Sequence, residues 1–534
     1  NMLARNFQHG GSSFICAGRR PAVFLIDKPS IPTPVPLVKR GAALTSRGGC
    51  WYNFIEFKKA LTCRGGTGVT FSSTVFLFLF FPAVLAGYFI LPARWRTWRN
   101  LFLLLASLGF YFYGEPRGIA IMLGSIAGNY LLALWMDAKP RHRRAALALS
   151  VALNLGVLCF YKYLGFIAEN LVSLGASLTV PDIVMPIGIS FFTFQGMSYV
   201  FDVYQGTVRA QKNPMLVALY ISLFPQLVAG PIVRYETIER ELTTRAETLD
   251  GAAEGMRRFI FGLGKKLLLA NPMGAVAAEI FAMDASALAA PVLWLGAVAY
   301  TFQIFFDFSG YSDMAIGIGR IFGFHFLENF NYPYISQSIT EFWRRWHMSL
   351  SSWFRDYVYI PLGGNRRGRA RQLFNILVVW ALTGLWHGAA WNFVLWGLYF
   401  AFILILEKVF LGRALKRMWR PLRHLYSLVL IIIGWVIFNS SGLGQVGQYI
   451  GGMFTHWQLS AEEGKQALYL LLEYRFEWLA CILLSLPLGP ALRRRLGEKG
   501  WFEPARMAAC LGVFALALLA LVSTTFNPFI YFRF

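Results

Sequence analysis

The sequence predicts an all-α polytopic membrane protein, and three observations predict it. Hydrophobic residues make up 56% of the 534 and charged residues only 14%, against about 25% charged in soluble domains. Apolar segments recur along nearly the whole chain after residue 70. The net charge of +23 is spread between those segments rather than gathered in one domain. That is the distribution of the positive-inside rule, not of a nucleic-acid surface, so membrane lipid is the expected partner and nucleic acid is not.

Residues 1–68 differ in kind from the rest. They carry ten Lys or Arg against Asp27 and Glu56, half of the six cysteines, and the Pro-rich run Pro29-Ser-Ile-Pro-Thr-Pro-Val-Pro36. No helical or alternating pattern persists there. A basic transit peptide is one reading. The preferred one is an N-terminal extension outside the working protein, disordered or non-native, with a natural beginning at Val69 and a single membrane domain over 69–534.

From there the apolar segments run 71–91, 100–113, 118–136, 145–160, 183–201, 215–233, 289–306, 374–406, 425–438, 478–490 and 507–522. Roughly 20 apolar residues cross the hydrocarbon core, so about eleven transmembrane helices are expected, with re-entrant or interfacial helices beside them. Met185-Pro-Ile-Gly-Ile-Ser190 and Ala229-Gly-Pro231 interrupt two segments. Such breaks survive where neighbouring helices or a cavity satisfy the freed backbone groups. Basic stretches at Lys139–Arg144, Lys265-Lys266, Arg366–Arg371, Lys416-Arg417 and Arg493–Arg495 read as cytoplasmic loops.

His387 stands near the middle of Phe374–Leu406, a stretch without Asp, Glu, Lys or Arg, in Leu382-Thr-Gly-Leu-Trp-His-Gly-Ala-Ala-Trp391. An ionisable ring at that depth costs free energy and needs a partner, a water-filled cavity or a job. Imidazole is also suited to proton transfer near neutral pH. Upstream lie Asp307-Phe-Ser-Gly-Tyr-Ser-Asp-Met-Ala-Ile-Gly317 and Glu328-Asn-Phe-Asn-Tyr-Pro-Tyr-Ile-Ser-Gln337. Then come Thr340-Glu-Phe-Trp-Arg-Arg-Trp-His-Met-Ser-Leu-Ser-Ser-Trp-Phe-Arg-Asp-Tyr357 and Tyr359-Ile-Pro-Leu-Gly-Gly-Asn-Arg-Arg367. The third piece predicts an amphipathic helix capped by Thr340, with Trp343, His347 and Leu350 on one face.

Bland readings stand beside the chemical ones. Trp and Arg at a membrane interface are ordinary anchors, and Asp307 or Asp313 can pair with an arginine or cap a helix. The six cysteines show no C-x-x-C spacing, and no H-x-x-x-H or H-E-x-x-H ligand pattern exists, so no metal is expected. Neither a G-x-S-x-G elbow nor a G-x-x-x-x-G-K-[ST] loop is present. The chemistry left is proton transfer by histidine beside buried polar donors. A transporter would also suit many broken spans, but no two-fold repeat is visible and the charged motifs cluster between 307 and 387.

These motifs, in this order, resemble the membrane-bound O-acyltransferase (MBOAT) family, and within it the membrane subunits that O-acetylate exported polysaccharides of the alginate type. The resemblance covers 69–534 and rests on Val69–Phe80, Pro186–Phe191, Phe224–Pro231, Asp307–Gly317, Asn329–Arg366, Leu385-Trp-His-Gly388 and the ending Asn527–Phe534. It implies a ring of tilted helices around a central tunnel, with the family's near-universal histidine at His387 and its second polar position at His347. It implies acetyl-coenzyme A as acyl donor, with no bound cofactor, and location in the bacterial inner membrane. The implied partner is a periplasmic or membrane-anchored acetyltransferase subunit of the SGNH hydrolase-like type, with an exported polysaccharide as final acceptor. D-alanyl transfer to a cell-envelope polymer is the nearest alternative. Substrate or tunnel candidates are Trp386, Asp313, Asn331, Arg344, Arg345 and Asp356. Arg366–Arg371 is read either as a phosphate site or as a solvated loop. Tyr531 is read either as an acyl relay or as part of an aromatic interface belt.

Overall fold

The computed structural model describes residues 70–523 and Asn527. The 1–68 extension, Val69 and Tyr531 lie outside the described residues. Among the described residues every regular element is helical and there is no β-strand.

A π-helical turn at Phe76–Phe80 leads into α1 (Phe81–Ile90), then α2 (Arg96–Gly114) and α3 (Gly118–Ala138). α4 (Arg143–Leu158) passes through another π-helical turn, Cys159–Tyr163, into α5 (Leu164–Ser173). An irregular run follows, then α6 (Ile189–Gln205), α7 (Pro214–Ser222), α8 (Tyr235–Thr244) and α9 (Leu249–Gly264). α10 (Asn271–Ala282) precedes the long α11 (Ala290–Ile321). After a loop come α12 (Met348–Phe354), α13 (Arg369–His387), α14 (Trp391–Leu406), α15 (Arg420–Asn439) and α16 (Leu443–Thr455). α17 (Ala461–Glu473), α18 (Arg475–Leu484), α19 (Leu488–Leu496) and α20 (Phe502–Ser523) close the chain.

Among the described residues, six helical runs are long and apolar enough to cross a membrane: Gly118–Ala138, Pro140–Ser173, Ala290–Ile321, Trp391–Arg417, Arg420–Asn439 and Phe502–Ser523. α18 and α19, bent by 67°, make a seventh when taken as one broken span. The remaining apolar segments fold as shorter or less apolar helices, as 183–201 and 215–233 do in α6 and α7. The fold is that of an all-α multi-pass membrane protein.

Close backbone approach holds the helices together, as expected where lipid removes the hydrophobic drive between them. Gly255 and Gly262 of α9 face Gly317 and Gly310 of α11. A Cβ on either α9 glycine would come within 2.5 or 2.6 Å of a carbonyl oxygen across the interface. The buried side chains form two clusters. One gathers α1–α4, α6–α9, the C-terminal half of α11, α12, Trp386 and α20. The other gathers α10, the N-terminal half of α11 and α14–α18.

Four local expectations change. The apolar stretch 374–406 is not one span: it folds into α13 and α14 with the break at His387-Gly388. Ser338, not Thr340, caps the short helix Ile339–Phe342, its hydroxyl accepting from Glu341 N at 3.0 Å. Thr340 instead donates its N–H and hydroxyl to Glu407. The face predicted for Trp343, His347 and Leu350 does not exist, because His347 takes φ +44° and a fresh helix starts at Met348. Lys265 and Lys266 lie in a π-helical turn, Lys265–Ala270, rather than a solvated loop. They pair with Asp313 and Asp307 at 2.6 and 2.8 Å.

Candidate active site

His387 is the last residue of α13. Gly388 beyond it is extended (φ −168°, ψ 154°), which stops the helix. A side chain at Gly388 would collide with the Phe393 ring. One turn earlier, Gly384 meets Gly397 of α14, and a Cβ at Gly384 would overlap the Phe393 carbonyl oxygen. The glycines thus let α13 and α14 close tightly and set the position of the turn between them.

The imidazole of His387 stands edge-on to three aromatic rings: Trp386 at 4.9 Å, Trp396 at 5.0 Å and Phe438 at 5.2 Å. Trp386 belongs to one buried cluster and the other two rings to the second, so the ring sits at the seam between them. It makes no side-chain hydrogen bond among the described residues. It borders a cavity of about 280 Å³ whose wall includes Lys162, Gly188, Ser190, Phe191 and Trp386. The broken segment Val184–Phe191 forms much of that wall, which is where interrupted backbone is tolerated at membrane depth.

A helix ending inside a membrane leaves its last carbonyls in need of donors. Here they come from the π-helical turn after α4. Tyr163 donates its hydroxyl to Leu385 O at 2.6 Å. Lys162 Nζ donates to Trp386 O at 2.5 Å and to His387 O at 3.3 Å.

His347 is held in the opposite manner. It is 2% exposed and its ring meets Phe308 at 4.7 Å and Trp386 at 6.0 Å, so both imidazoles touch Trp386. Asn329 Nδ2 donates to Ser312 Oγ at 3.1 Å, which turns Oδ1 toward the histidine. That oxygen accepts from His347 Nδ1 at 3.1 Å and from Ser349 Oγ at 2.9 Å. Nδ1 therefore carries the proton in the neutral ring, assigned from this network, and Nε2 keeps its lone pair. Nε2 is buried and meets no hydrogen-bonding group among the described residues, and the same holds for Trp386 Nε1. The Asn329 carbonyl also accepts Met348 N at 3.0 Å. These bonds hold His347 in the left-handed region, which costs a non-glycine residue about 1–3 kcal/mol.

Of the residues singled out in the sequence, the structure brings His387, His347 and Trp386 together. Asp313 accepts from Arg258 at 2.8 Å and Lys265 at 2.6 Å. Arg345 pairs with Glu341 at 2.9 Å and clasps exposed Asn331 through backbone bonds. Asp356 pairs with Arg234 at 2.7 Å beside a separate cavity, and Arg344 is exposed. None of these five lines the cavity at His387. Arg369 and Arg371 donate to backbone carbonyls, Val409 O and Leu362 O.

Sequence reasoning passed over Asn329, Ser312, Ser349 and Lys162. Spacing alone does not distinguish Asn329 from Asn331. Lys162 carried a signal, being the sole Asp, Glu, Lys or Arg between Arg144 and Glu169.

A polytopic all-α body with a histidine on a cavity at helical breaks is the architecture of an enzyme working at membrane depth. The family model described as MBOAT, membrane-bound O-acyltransferase family, matches residues 188–441. The chain is 37% identical to the probable alginate O-acetylase AlgI of Azotobacter vinelandii over 87% of this chain and 100% of that protein. It is 42% identical to the probable alginate O-acetylase AlgI of Pseudomonas aeruginosa over 73% of this chain and 76% of that one. It is 34% identical to the peptidoglycan O-acetyltransferase of Helicobacter pylori over 72% and 79% of the two chains. The chain belongs to the membrane-bound O-acyltransferase family and is an O-acyltransferase.

Proposed function

We propose that this protein takes an acetyl group from a thioester on the cytoplasmic side, with acetyl-coenzyme A as donor, for O-acetylation of an exported polysaccharide of the alginate type. The observation that carries the mechanism is the His387 ring. It is fixed by aromatic contacts, free of side-chain hydrogen bonds among the described residues, and set on a cavity wall. Its imidazole takes the proton of the attacking hydroxyl as the oxygen bonds to the acyl carbon. The carbonyl oxygen gains charge, and the unpartnered Trp386 Nε1–H is a donor suited to it. Collapse breaks the carbon–sulfur bond, and the imidazolium returns its proton to the leaving thiolate. His347, with its Nε2 lone pair beside the same tryptophan, is the second imidazole of the site.

The alginate reading is supported by the names of the more similar relatives, one of them matched over 100% of its length and the other over 76%. The setting we propose is the bacterial inner membrane. There the acetyl group passes, directly or through an SGNH-type acetyltransferase subunit, to the extracytoplasmic polymer.

Membranes containing the full chain, supplied with labelled acetyl-coenzyme A, test this. Label should appear in the polymer with the wild type. It should fall by roughly 10²–10⁴-fold with His387→Ala, the usual contribution of a positioned acid–base group. Undiminished transfer by the variant would remove the reading.

A further inference from the structure

Lys162 stands where a charge is least expected. It lies inside the 34-residue helical run Pro140–Ser173, alone among Asp, Glu, Lys and Arg between Arg144 and Glu169, and no carboxylate pairs with it among the described residues. An intramembrane cation without a counter-ion is costly, and such residues mark functional positions. Here the compensation is a helix end. The last carbonyls of α13 carry the negative pole of the helix dipole, and Lys162 Nζ donates to two of them, Trp386 O and His387 O. A third, longer contact reaches Ser190 Oγ at 3.4 Å.

The amine of Lys162 is thus turned mainly to the carbonyls that end α13, although it lines the same cavity. What it fixes is the peptide that carries His387. The π-helical turn Cys159–Tyr163 widens the helix locally, which lets the adjacent Lys162 and Tyr163 both reach the end of α13. Tyr163 caps Leu385 O but is absent from the cavity wall. The two donors thus divide the work: one secures the helix, the other secures the two residues whose rings border the cavity.

We propose that Lys162 is a positioning residue for acyl transfer, anchoring the Trp386 and His387 backbone so that the imidazole meets the cavity in one orientation. The proposal rests on His387 being the base. Its effect falls on the chemical step, because a small displacement of a reacting group costs rate far more than it costs binding. Loss of the anchor is expected to lower kcat by roughly 10- to 100-fold, with KM for acetyl-coenzyme A within about twofold.

The test compares Lys162→Met, Lys162→Arg, Tyr163→Phe and His387→Ala in the full chain in membranes, each rate normalised to correctly inserted protein. Support is a lowered kcat at unchanged KM in Lys162→Met, partial recovery in Lys162→Arg, and a clearly smaller loss in Tyr163→Phe. If the methionine variant does not accumulate, Lys162→Gln, a shorter and weaker donor to the same carbonyls, should lower kcat at unchanged KM by less than the methionine expectation, and a wild-type kcat there would count against the proposal in the same way. Wild-type kcat in Lys162→Met beside an inactive His387→Ala would overturn the Lys162 inference alone. An equal loss of kcat in Tyr163→Phe would also overturn it, because fraying of the helix end would then account for the effect. Full activity in His387→Ala would overturn the functional reading and this inference with it.

Discussion

The two imidazoles of the site are held by opposite means. His387 has no side-chain hydrogen bond among the described residues; three aromatic edges and a helix break set by Gly384 and Gly388 place it. His347 sits in a polar net through Asn329, Ser312 and Ser349, which holds the backbone in a conformation it would otherwise avoid. The ring placed by shape keeps both nitrogens uncommitted and borders the cavity, as a proton carrier must. The ring placed by hydrogen bonds has one nitrogen committed and one orientation. Such a ring suits a fixed dipole better than a shuttle.

If shape places His387, crowding its helix should cost most. Gly384→Ala puts a methyl against the Phe393 carbonyl oxygen, and a backbone atom on α14 cannot move aside as a side-chain tip would. Overpacking of this kind costs roughly 1–3 kcal/mol or more. The expected outcome is a large drop in folded protein, read by size-exclusion profile and melting temperature in detergent, with transfer lost in what remains. A variant that melts and transfers like the wild type would mean that the glycine contact does not position the ring.

The net around His347 gives a smaller and cleaner contrast. Asn329→Leu removes the acceptor of His347 Nδ1 and of the Ser349 hydroxyl. Leaving buried polar groups unpaired costs about 1–3 kcal/mol, and transfer is expected to fall roughly tenfold through misplacement of the second imidazole. Asn331→Ala, two residues on, changes an exposed side chain and should stay within about 0.5 kcal/mol of wild type. Equal losses in the two variants would show that the net is not what distinguishes them.

This pair also shows what the sequence could and could not reveal. Composition and recurring apolar segments were enough for the all-α membrane fold, because lipid permits little else. His387 was legible for the same reason, as a costly group in an apolar stretch, and Lys162 was legible by that argument too. Asn329 was not. Its role depends on a chain reversal at His347 that places residue 329 against 347 and 349, and helical spacing from Thr340 predicted a continuous helix there instead. Asp313 and Asp356 were legible as charges, but their partners, Arg258, Lys265 and Arg234, come from distant segments. Local pattern holds no information on such pairings.

Acid sensitivity of the fold can be tested away from the two imidazoles, at a buried carboxylate. Glu247, in the loop between α8 and α9, is the place. Its side chain is 7% exposed and lies against Arg96, Arg99 at 3.2 Å and Arg245 at 3.6 Å, with Tyr88 also donating to it. Burial alone would raise its pKa; the hydrogen bonds and charge of Arg96, with Tyr88 and Arg245, overcome that and hold it at about 2, against an ordinary 4.5. A depressed folded-state pKa stabilises fully above the unfolded value and is lost as pH falls through the folded one. The contribution, on the order of 2–3 kcal/mol, should therefore be present above about pH 4.5 and drain away toward pH 2. Glu247→Gln should melt lower than the wild type at pH 7, and the gap should close on acidification through that window. Parallel melting curves for the two proteins from pH 7 to pH 3 would show that the arginine cluster does not hold this loop through its charge.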